Sequence, residues 1–540
     1  MEIRTRKPVG AWLAIALVAV MLVSVVAGAH DAAREGGTLE VSLQDSIDTL
    51  DSFNSGLDII GRVLGLVSET LLVYDENLMP HPHLAKSWEV ADDQLSWTFH
   101  LLENVTYHDG TAMTAETIAA SLRLLVTEYW NSWQFSKVDS VNVLDDFTVQ
   151  LTLREPFPTL HYWLADPWNF LDSVAAREQY GDRYGFDMVV GTGPYKFVEW
   201  VRGERVVLER NEDYTHGPSF LDNQGPAYFD KIIFREIPEP ATRAAELEYG
   251  VTDLAAMLDE TVLPQAMANP DLNSLVKPSP WVIFLGVNSA QPALADVRVR
   301  LALSHAIDRQ ALLDAGLNGI GRIADGFIPP SSTGYWEGAE EYAAAYQSYD
   351  LDLAKELLAS AGWVDTNGDG TVDKDGTELV LHLVAPSSPR YAKHAEVVQY
   401  LLPQAGVGVD IESVDLAAAL AICEAGEYDI VLLGWKYNIG TVYLSMNCHS
   451  SYIPNPNYFA YDDPILDALI DRSTNALTEE ERTGALNAAQ MLVISDAIIQ
   501  PLVSRGNNLL AKKRVGGIER LDAHPWWPDL VLGLELYFNP

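Results

Sequence analysis

A twelve-residue stretch, DTNGDGTVDKDG at 365–376, has the composition of a calcium-binding loop. In that loop pattern, oxygen ligands stand at positions 1, 3, 5 and 9 and a glycine at position 6. Gly370 takes position 6, but position 12, where a calcium sensor has a bidentate glutamate, is Gly376. The stretch therefore predicts either a structural calcium site or a polar turn rich in aspartate and asparagine. The candidate ligands are Asp365, Asn367, Asp369 and Asp373.

The usual sequence patterns of enzymes are absent. The chain has no phosphate-loop Gly-Lys-Ser/Thr, no Gly-x-Ser-x-Gly turn, no His-Glu-x-x-His and no Cys-x-x-Cys. An extracytoplasmic hydrolase is therefore the least favoured function, and we predict no enzymatic activity. Apart from the calcium ion, no cofactor is predicted.

Composition limits the class of protein. With 35 basic and 76 acidic residues the formal net charge is −41, so little is available to neutralise phosphates and nucleic acid is excluded as a partner. A length of 540 residues exceeds one simple core, and we expect two or three domains or lobes.

The N-terminus has the layout of an export signal. Basic residues precede an apolar run from Ala11 to Ala29 that ends in small residues. Because the run approaches the length of a membrane span, residues 1–29 are predicted as either a signal peptide or an N-terminal membrane anchor. The chain is therefore predicted to be exported. Two cysteines, Cys423 and Cys448, either pair or remain free.

Short apolar strands and helical patterns alternate along the rest of the chain. Alternation of apolar and polar residues predicts hairpins at 87–101 and 140–153. One helix is predicted from its Asp296 cap to Gly316. The fold class is therefore α/β with β-hairpin insertions.

Aromatic residues are abundant and clustered. The chain has 14 Trp, 23 Tyr and 15 Phe, with dense groups at 129–135, 161–170 and 434–443. Tryptophan and tyrosine line many clefts that bind organic ligands. An exported α/β chain without catalytic motifs and with this aromatic content suggests a solute receptor.

Several segments of the sequence resemble those of one known family of solute receptors. The Leu-Ala-x-Ser-Trp start at residue 84, the Tyr-His-Asp-Gly turn at 107–110 and VGTGPYKFVEW at 190–200 resemble the family-5 extracellular solute-binding proteins, the peptide- and nickel-binding subunits of ABC importers. Six segments resemble that family in the right order: 84–118, 190–200, 284–313, 349–370, 432–438 and 461–471.

The resemblance implies a two-lobed, periplasmic-binding-protein-like (type II) fold with an additional β-rich subdomain. Lobe one would be discontinuous, the subdomain would cover 76–189, and lobe two would cover 286–499. The chain would cross between the lobes near 284–288 and 500–503, and closure there would trap the ligand. The segments of lobe one would be 36–75, 190–285 and 500–540.

The resemblance also implies where the ligand binds. Peptide binders of the family commonly carry Gly-Trp-x-x-Asp, whose aspartate pairs with the peptide ammonium, whereas here the last position is Asn438. The missing charge weakens a standard peptide interpretation, while Trp435 is expected to stack on the ligand. Residues after the first strand are expected at the cleft edge. The candidate ligand-binding residues here are Trp435, Lys436, Tyr437, Asn438, Gln44, Asp45 and Asp51.

A nickel or metal-chelate receptor is the alternative within the family. Met446, Cys448 and His449 stand together, and soft sulfur and imidazole groups suit nickel. The resemblance carries a ligand-contacting role to His449. In either case the expected function is capture of a peptide or similar small solute by a monomer, followed by delivery to an ABC transporter permease in the membrane.

Overall fold

The computed structural model describes residues 36–523 and 533–539. The predicted signal or anchor segment, 1–29, lies outside them. Within the described residues no helix is both long and apolar enough to cross a membrane.

The strands in chain order are β1 (Thr38–Leu43), β2 (Leu72–Tyr74), β3 (Pro80–Pro82), β4 (Ala85–Val90), β5 (Ser96–Leu101), β6 (Val138–Asp145), β7 (Thr148–Leu153), β8 (Tyr195–Val201), β9 (Arg205–Arg210), β10 (Lys231–Glu236), β11 (Leu254–Ala256), β12 (Leu272–Val287), β13 (Gly321–Ile323), β14 (Asp373–Lys374), β15 (Thr377–Glu378), β16 (Val380–Pro386), β17 (Gly408–Val414), β18 (Ile430–Trp435), β19 (Ile499–Lys512), β20 (Val515–Gly516) and β21 (Tyr537–Phe538).

The α-helices are α1 (Asp58–Val67), α2 (Ala115–Thr127), α3 (Leu160–Ala165), α4 (Val174–Tyr180), α5 (Pro240–Tyr249), α6 (Leu263–Met267), α7 (Val297–Ala306), α8 (Arg309–Leu317), α9 (Ala339–Gln347), α10 (Leu351–Ser360), α11 (Pro389–Leu401), α12 (Leu416–Ala425), α13 (Gly440–Cys448), α14 (Pro464–Asn475), α15 (Glu479–Asp496) and α16 (Ile518–Ala523).

One mixed sheet of 11 strands runs through the molecule in the order β17-β16-β18-β12-β19-β11-β1-β10-β9-β8, with β13 on β19. Two long antiparallel strands, β12 and β19, form its centre. Their pairing is regular from Leu272 to Pro278 and resumes at Val282, with an irregularity between. The strands therefore form one sheet, and the pairing of its two central strands is irregular near their middle.

The sheet beyond β12 is covered on both faces. Val282 and Phe284 belong to one apolar core, whereas Ile283 and Leu285 belong to another. The same alternation continues in β18. Successive side chains of a strand point to opposite faces, so these near-continuous apolar strands are buried between two layers of helices, as expected for an α/β arrangement.

The two predicted hairpins are confirmed. They form β4–β5 and β6–β7 and combine into a separate four-stranded antiparallel sheet in the order β4-β5-β7-β6. Its inward residues, such as Phe99 and Leu151, share one core with Val41 and Phe234 of the main sheet. The first part of the main sheet and the small sheet are thus packed together, while the exact subdomain boundaries remain a prediction.

The helix predicted from Asp296 to Gly316 is two helices, and the single-helix prediction is wrong. Ile307 is extended, and the Asp308 side chain accepts hydrogen bonds from the first N–H groups of α8. Gly316 does not end α8, which closes at Asn318 in the left-handed conformation. Instead, a Cβ at Gly316 would lie 2.2 Å from the His394 ring, so this glycine allows α11 to pack closely.

Candidate ligand-binding site

A cavity of about 500 Å³ lies where β16 and β18 end and α11 and α12 begin. Its opposite wall comes from the segment after α2 and from α3 with the residues that follow it. Crevices at the carboxyl ends of strands are the usual ligand sites of open α/β sheets. The lining residues are Gly56, Trp130, Trp133, Gln134, Trp163, Asp166, Trp168, Trp281, Arg390, Tyr391, Leu416, Gly434, Trp435, Lys436, Tyr437, Asn438, Ile439 and Val442.

Six tryptophans give the cavity its character. On one wall, Trp130 meets Trp168 edge to face at 6.4 Å between ring centroids, and Trp133 meets Trp163 at 5.9 Å. Trp130 and Trp133 remain 45% and 44% exposed. Large aromatic faces left open to a cavity provide apolar contact area for an organic ligand.

Gly434 permits the packing of the opposite wall. A Cβ there would lie 2.3 Å from Nε1 of Trp281 and 2.8 Å from the Tyr391 hydroxyl. Any side chain would therefore displace two rings that line the cavity. This close approach explains in physical terms why glycine precedes Trp435.

The Asn438 side chain contacts a residue of the opposite wall of the cavity. Its Nδ2 donates a hydrogen bond to Oδ2 of Asp166 at 3.0 Å, and its Oδ1 is buried without a partner among the described residues. Burial raises the pKa of Asp166 from 3.8 to about 6, although the Asn438 hydrogen bond, the Trp168 N–H and the charge of Lys436 oppose that rise. A buried carboxylate thus lies within hydrogen-bond reach of the position where the family motif has its aspartate.

Two cations face the same space. The Arg390 guanidinium lies 5.4 Å from the centroid of the Trp281 ring, and its Nε has no hydrogen-bond partner within the described part of the chain. Burial lowers the pKa of Arg390, and the nearby charge of Arg505 acts in the same direction. Lys436 lines the cavity from the loop after β18. The lining therefore offers both donors and acceptors to a polar ligand.

Tyr437 and the backbone of its loop are held by neighbouring elements. The Tyr437 carbonyl accepts a hydrogen bond from the Ser332 hydroxyl at 2.7 Å, and the Asn438 carbonyl accepts one from the Thr333 N–H at 2.8 Å. Burial raises the pKa of Tyr437 to about 12. The four residues from Trp435 to Asn438 are therefore presented on a fixed loop, as a preorganised site requires.

The other predicted ligand-binding residues lie outside this lining. Asp51 holds Arg177 through two contacts of 2.7 Å, a buried pair that fixes the segment after β1. Gln44 and Asp45 follow β1 and do not line the cavity. The His449 ring nitrogens lie 3.8 Å from Asp467 and 3.4 Å from Asp471. We do not include these four residues in the proposed site.

The acidic loop binds its own backbone. Asp365 accepts hydrogen bonds from the N–H groups of Gly368 at 2.6 Å and Gly370 at 3.0 Å, and Asp369 accepts one from Thr371 at 2.8 Å. Asp373 accepts one from the N–H of Thr366 at 2.9 Å. Across residues 36–523 and 533–539, no three His, Cys, Asp or Glu side chains are arranged to hold a metal. The calcium site at Asp365, Asn367, Asp369 and Asp373 is untested, and these hydrogen bonds favour the alternative, a polar turn that satisfies its own backbone N–H groups.

The two cysteines are both free and both buried. Burial raises the pKa of Cys423 to about 12 and raises that of Cys448 further still. Soft metals bind the thiolate form. None of the residues that suggested a nickel site, Met446, Cys448 and His449, lines the cavity.

Several residues of the site were not predicted individually. Asp166, Arg390 and five of the tryptophans gave no motif, although four of those tryptophans lie in the aromatic segments 129–135 and 161–170. Aromatic clustering was therefore the one sequence signal that pointed to this wall.

An α/β chain with separate cores joined by one sheet and a cavity at its strand ends has the architecture expected of the periplasmic-binding-protein class. Residues 79–453 match the family described as Bacterial extracellular solute-binding proteins, family 5 Middle. Because this match covers more than half of the chain, the chain belongs to family 5. The family consists of substrate-binding receptors, so the predicted receptor function is confirmed. The solved structures of family-5 binding proteins confirm the predicted periplasmic-binding-protein fold.

Individual relatives agree with this assignment. The chain is 28% identical to the probable D,D-dipeptide-binding periplasmic protein DdpA of Escherichia coli K12, over 80% of this chain and 81% of DdpA. Its fold is similar to that of the periplasmic binding protein DppA from Helicobacter pylori in complex with peptide STSA, with a TM-score of 0.75 at 23% identity, covering 95% and 100% of the two chains. It is also similar to NikZ from Campylobacter jejuni in complex with Ni(L-His), with a TM-score of 0.71 at 24% identity, covering 89% and 95%.

Proposed function

We propose that the cavity between the two walls captures a peptide or a similarly sized organic solute, which the receptor delivers to the permease of an ABC importer. The observation that carries this proposal is the tryptophan-lined cavity of about 500 Å³ with Asp166, Lys436 and Arg390 in its lining. That volume falls within the range of about 300–1,000 Å³ typical of small-molecule sites. The receptor acts outside the cytoplasm, as a monomer and without catalysis.

The lining favours a ligand that is apolar and polar at once. The tryptophan faces suit aromatic or aliphatic side chains, while the charged groups suit the polar ends of a peptide. Arg390 Nε, buried and without a partner in the described residues, suits a carboxylate of the ligand. A buried donor left unpaired costs about 1–3 kcal/mol, so a ligand acceptor there would contribute favourably.

A metal chelate is the second candidate, because Arg390 and Lys436 would also attract the carboxylate groups of a chelating ligand such as histidine. The residues Met446, Cys448 and His449 do not support it, since they lie outside the lining. The two candidates differ in their expected probes: dipeptides for the first and nickel(II)-histidine for the second.

Two measurements test the proposal. In thermal unfolding, a pool of dipeptides should raise the Tm because a ligand that binds the folded state stabilises it by mass action. Nickel(II)-histidine should leave the Tm unchanged. Mass spectrometry of solute co-purified with the native protein should find peptide-like molecules of a size similar to the dipeptides. A Tm shift with nickel(II)-histidine alone would move the assignment to metal chelates, and hydrolysis of the pool would contradict the receptor function.

A further inference from the structure

Two hydrogen-bond acceptors meet at one buried position in the cavity, and the donors around them are too few. Asp166 and Asn438 are each 5% exposed, and they come from opposite walls. Asp166 ends α3, whereas Asn438 follows β18. Their only mutual hydrogen bond within the described residues is the one from Asn438 Nδ2 to Asp166 Oδ2 at 3.0 Å.

The orientation of the Asn438 amide follows from this bond. If the amide were reversed, its oxygen would face the carboxylate oxygen and the NH₂ group would lose its acceptor. The NH₂ group must therefore point to Asp166. As a consequence Oδ1 of Asn438 points away from it and remains without a donor in the described chain.

The Asp166 carboxylate also has unused capacity. Oδ1 accepts the N–H of Trp168 at 3.2 Å, and Oδ2 accepts Asn438. Each carboxylate oxygen can accept about two hydrogen bonds. Lys436 is the charged group that acts on Asp166 from the same wall as Asn438, and its attraction does not offset the cost of burial. The position therefore combines a negative charge, an unsatisfied amide oxygen and a shortage of donors.

We propose that Asp166 and Asn438 together form a subsite for a positively charged N–H group of the ligand, such as an ammonium or a guanidinium. This inference rests on the proposed function and adds a specificity determinant to it. An ammonium has three donors and no acceptor, so it can pair with the Asp166 carboxylate and the free Asn438 oxygen at once. The charge that is missing at residue 438 is supplied by the facing wall.

A second consequence concerns closure of the cleft. Because the carboxylate and the amide come from opposite walls, the subsite is complete only when the walls are together. A ligand cation bound between them therefore stabilises the closed arrangement, and a neutral analogue does so less.

The test relocates the charge. The probes are a defined pool of dipeptides with free amino termini and the same pool after N-acetylation, titrated by tryptophan fluorescence and calorimetry. The wild type should bind the free-amine pool at least tenfold more tightly, about 1.4 kcal/mol. Asp166→Asn should reduce that preference below about threefold. The double variant Asp166→Asn/Asn438→Asp moves the carboxylate to the other wall and should restore it.

Controls separate binding from folding. Asp410→Asn, an exposed aspartate on β17, should keep the wild-type preference, and circular dichroism should show that each variant is folded. If Asp166→Asn does not fold, the double variant alone decides, since it must prefer free amines when the subsite is correct.

Three results would overturn the inference. Equal wild-type affinity for both pools removes the cation subsite while leaving the receptor function intact. An unchanged amine preference in Asp166→Asn assigns the charge to another residue. Binding of neither pool by the wild type rejects the peptide class, and this inference is rejected with it.

Discussion

At the residue scale, Trp435 combines an open aromatic face with an unsatisfied polar group. Its indole Nε1 is buried and has no acceptor among the residues that the structure describes, and the ring lines the cavity beside Gly434. A ring fixed in this way gives contact area at low entropic cost, because its rotamer is already restricted by packing.

Replacing Trp435 with alanine should weaken binding of the free-amine dipeptide pool by at least about tenfold, equivalent to about 1.4 kcal/mol. The loss reflects the missing stacking surface and the indole donor. Calorimetry measures it, with Trp336→Ala as the matched control, because Trp336 packs on Tyr342 outside the cavity. Unchanged affinity in Trp435→Ala would remove this residue from the site.

Asp166 makes a separate prediction about stability and pH. Its pKa is raised in the folded state, from 3.8 to about 6, so the folded protein binds more protons than the unfolded protein between those values. The wild type therefore loses stability as the pH rises through this window, by up to about 3 kcal/mol. Asp166→Asn has no such proton to lose.

Urea unfolding of both proteins between pH 4 and pH 7 measures the effect. The stability of Asp166→Asn relative to wild type should increase with pH over that range and then level off. If the difference in unfolding free energy between Asp166→Asn and the wild type stays constant with pH, the pKa of Asp166 is not raised by folding, and this prediction is wrong.

Trp435 to Asn438 could be located from the sequence because the family motif is local. Asp166 could not, because its pairing with Asn438 joins positions 272 residues apart. The roles of Arg390 and Trp281 could not be predicted for the same reason, because the two residues are in contact only after β12 and α11 have packed together. Gln44, Asp45, Asp51 and His449 were inferred from the places where family members bind ligand, and such placements shift with loop conformation.

At the scale of elements, alternation identified the hairpins well, because one face of each strand is buried and the other is exposed. The break between α7 and α8 was missed because both helices continue a similar apolar stripe. The capping role of Asp308 was the available signal, since an aspartate before Arg-Gln-Ala can begin a helix as readily as continue one.

The acidic loop gives a prediction at this scale. Its carboxylates already accept hydrogen bonds from the backbone N–H groups of Gly368, Gly370 and Thr371. We expect the same Tm in 1 mM calcium chloride, about a thousandfold above a micromolar dissociation constant, as in 1 mM EDTA, which removes free calcium. Asp365→Ala, as the comparison variant, should lower the Tm slightly in both solutions because the turn loses two hydrogen bonds. A calcium-dependent rise in Tm that Asp365→Ala abolishes would establish the metal site.

At the scale of the whole molecule, the wall carrying the small sheet touches the opposite half at several places. The Lys137 ammonium donates to Asn475 at 2.8 Å, and the Arg482 guanidinium donates to the Tyr162 hydroxyl at 3.3 Å. Together with the Asp166–Asn438 bond, these contacts join the two sides of the cavity. The irregular middle of the β12–β19 pair is the place where the sheet can flex.

Removing one of these contacts should open the cleft without changing the site. Arg482→Ala should increase the radius of gyration of the ligand-free protein in solution scattering and weaken binding of the dipeptide pool by up to about fivefold, since such contacts contribute about 1 kcal/mol or less. Arg472→Ala is the control, because Arg472 pairs with Glu481 at 2.9 Å on the same side of the cleft. Identical scattering and affinity in Arg482→Ala would show that closure does not depend on this contact.

The position of β19 has a consequence for how the protein is assembled. This strand lies between β12 and β11 in the sheet, yet it comes at residues 499–512 of the chain. Everything before it can form only two half-sheets, one ending at β12 and one ending at β11. Contacts between segments so distant in sequence slow folding. The order of synthesis therefore makes the joining of the two half-sheets a late event, and a chain that has yet to emerge past residue 498 has no route to the native receptor.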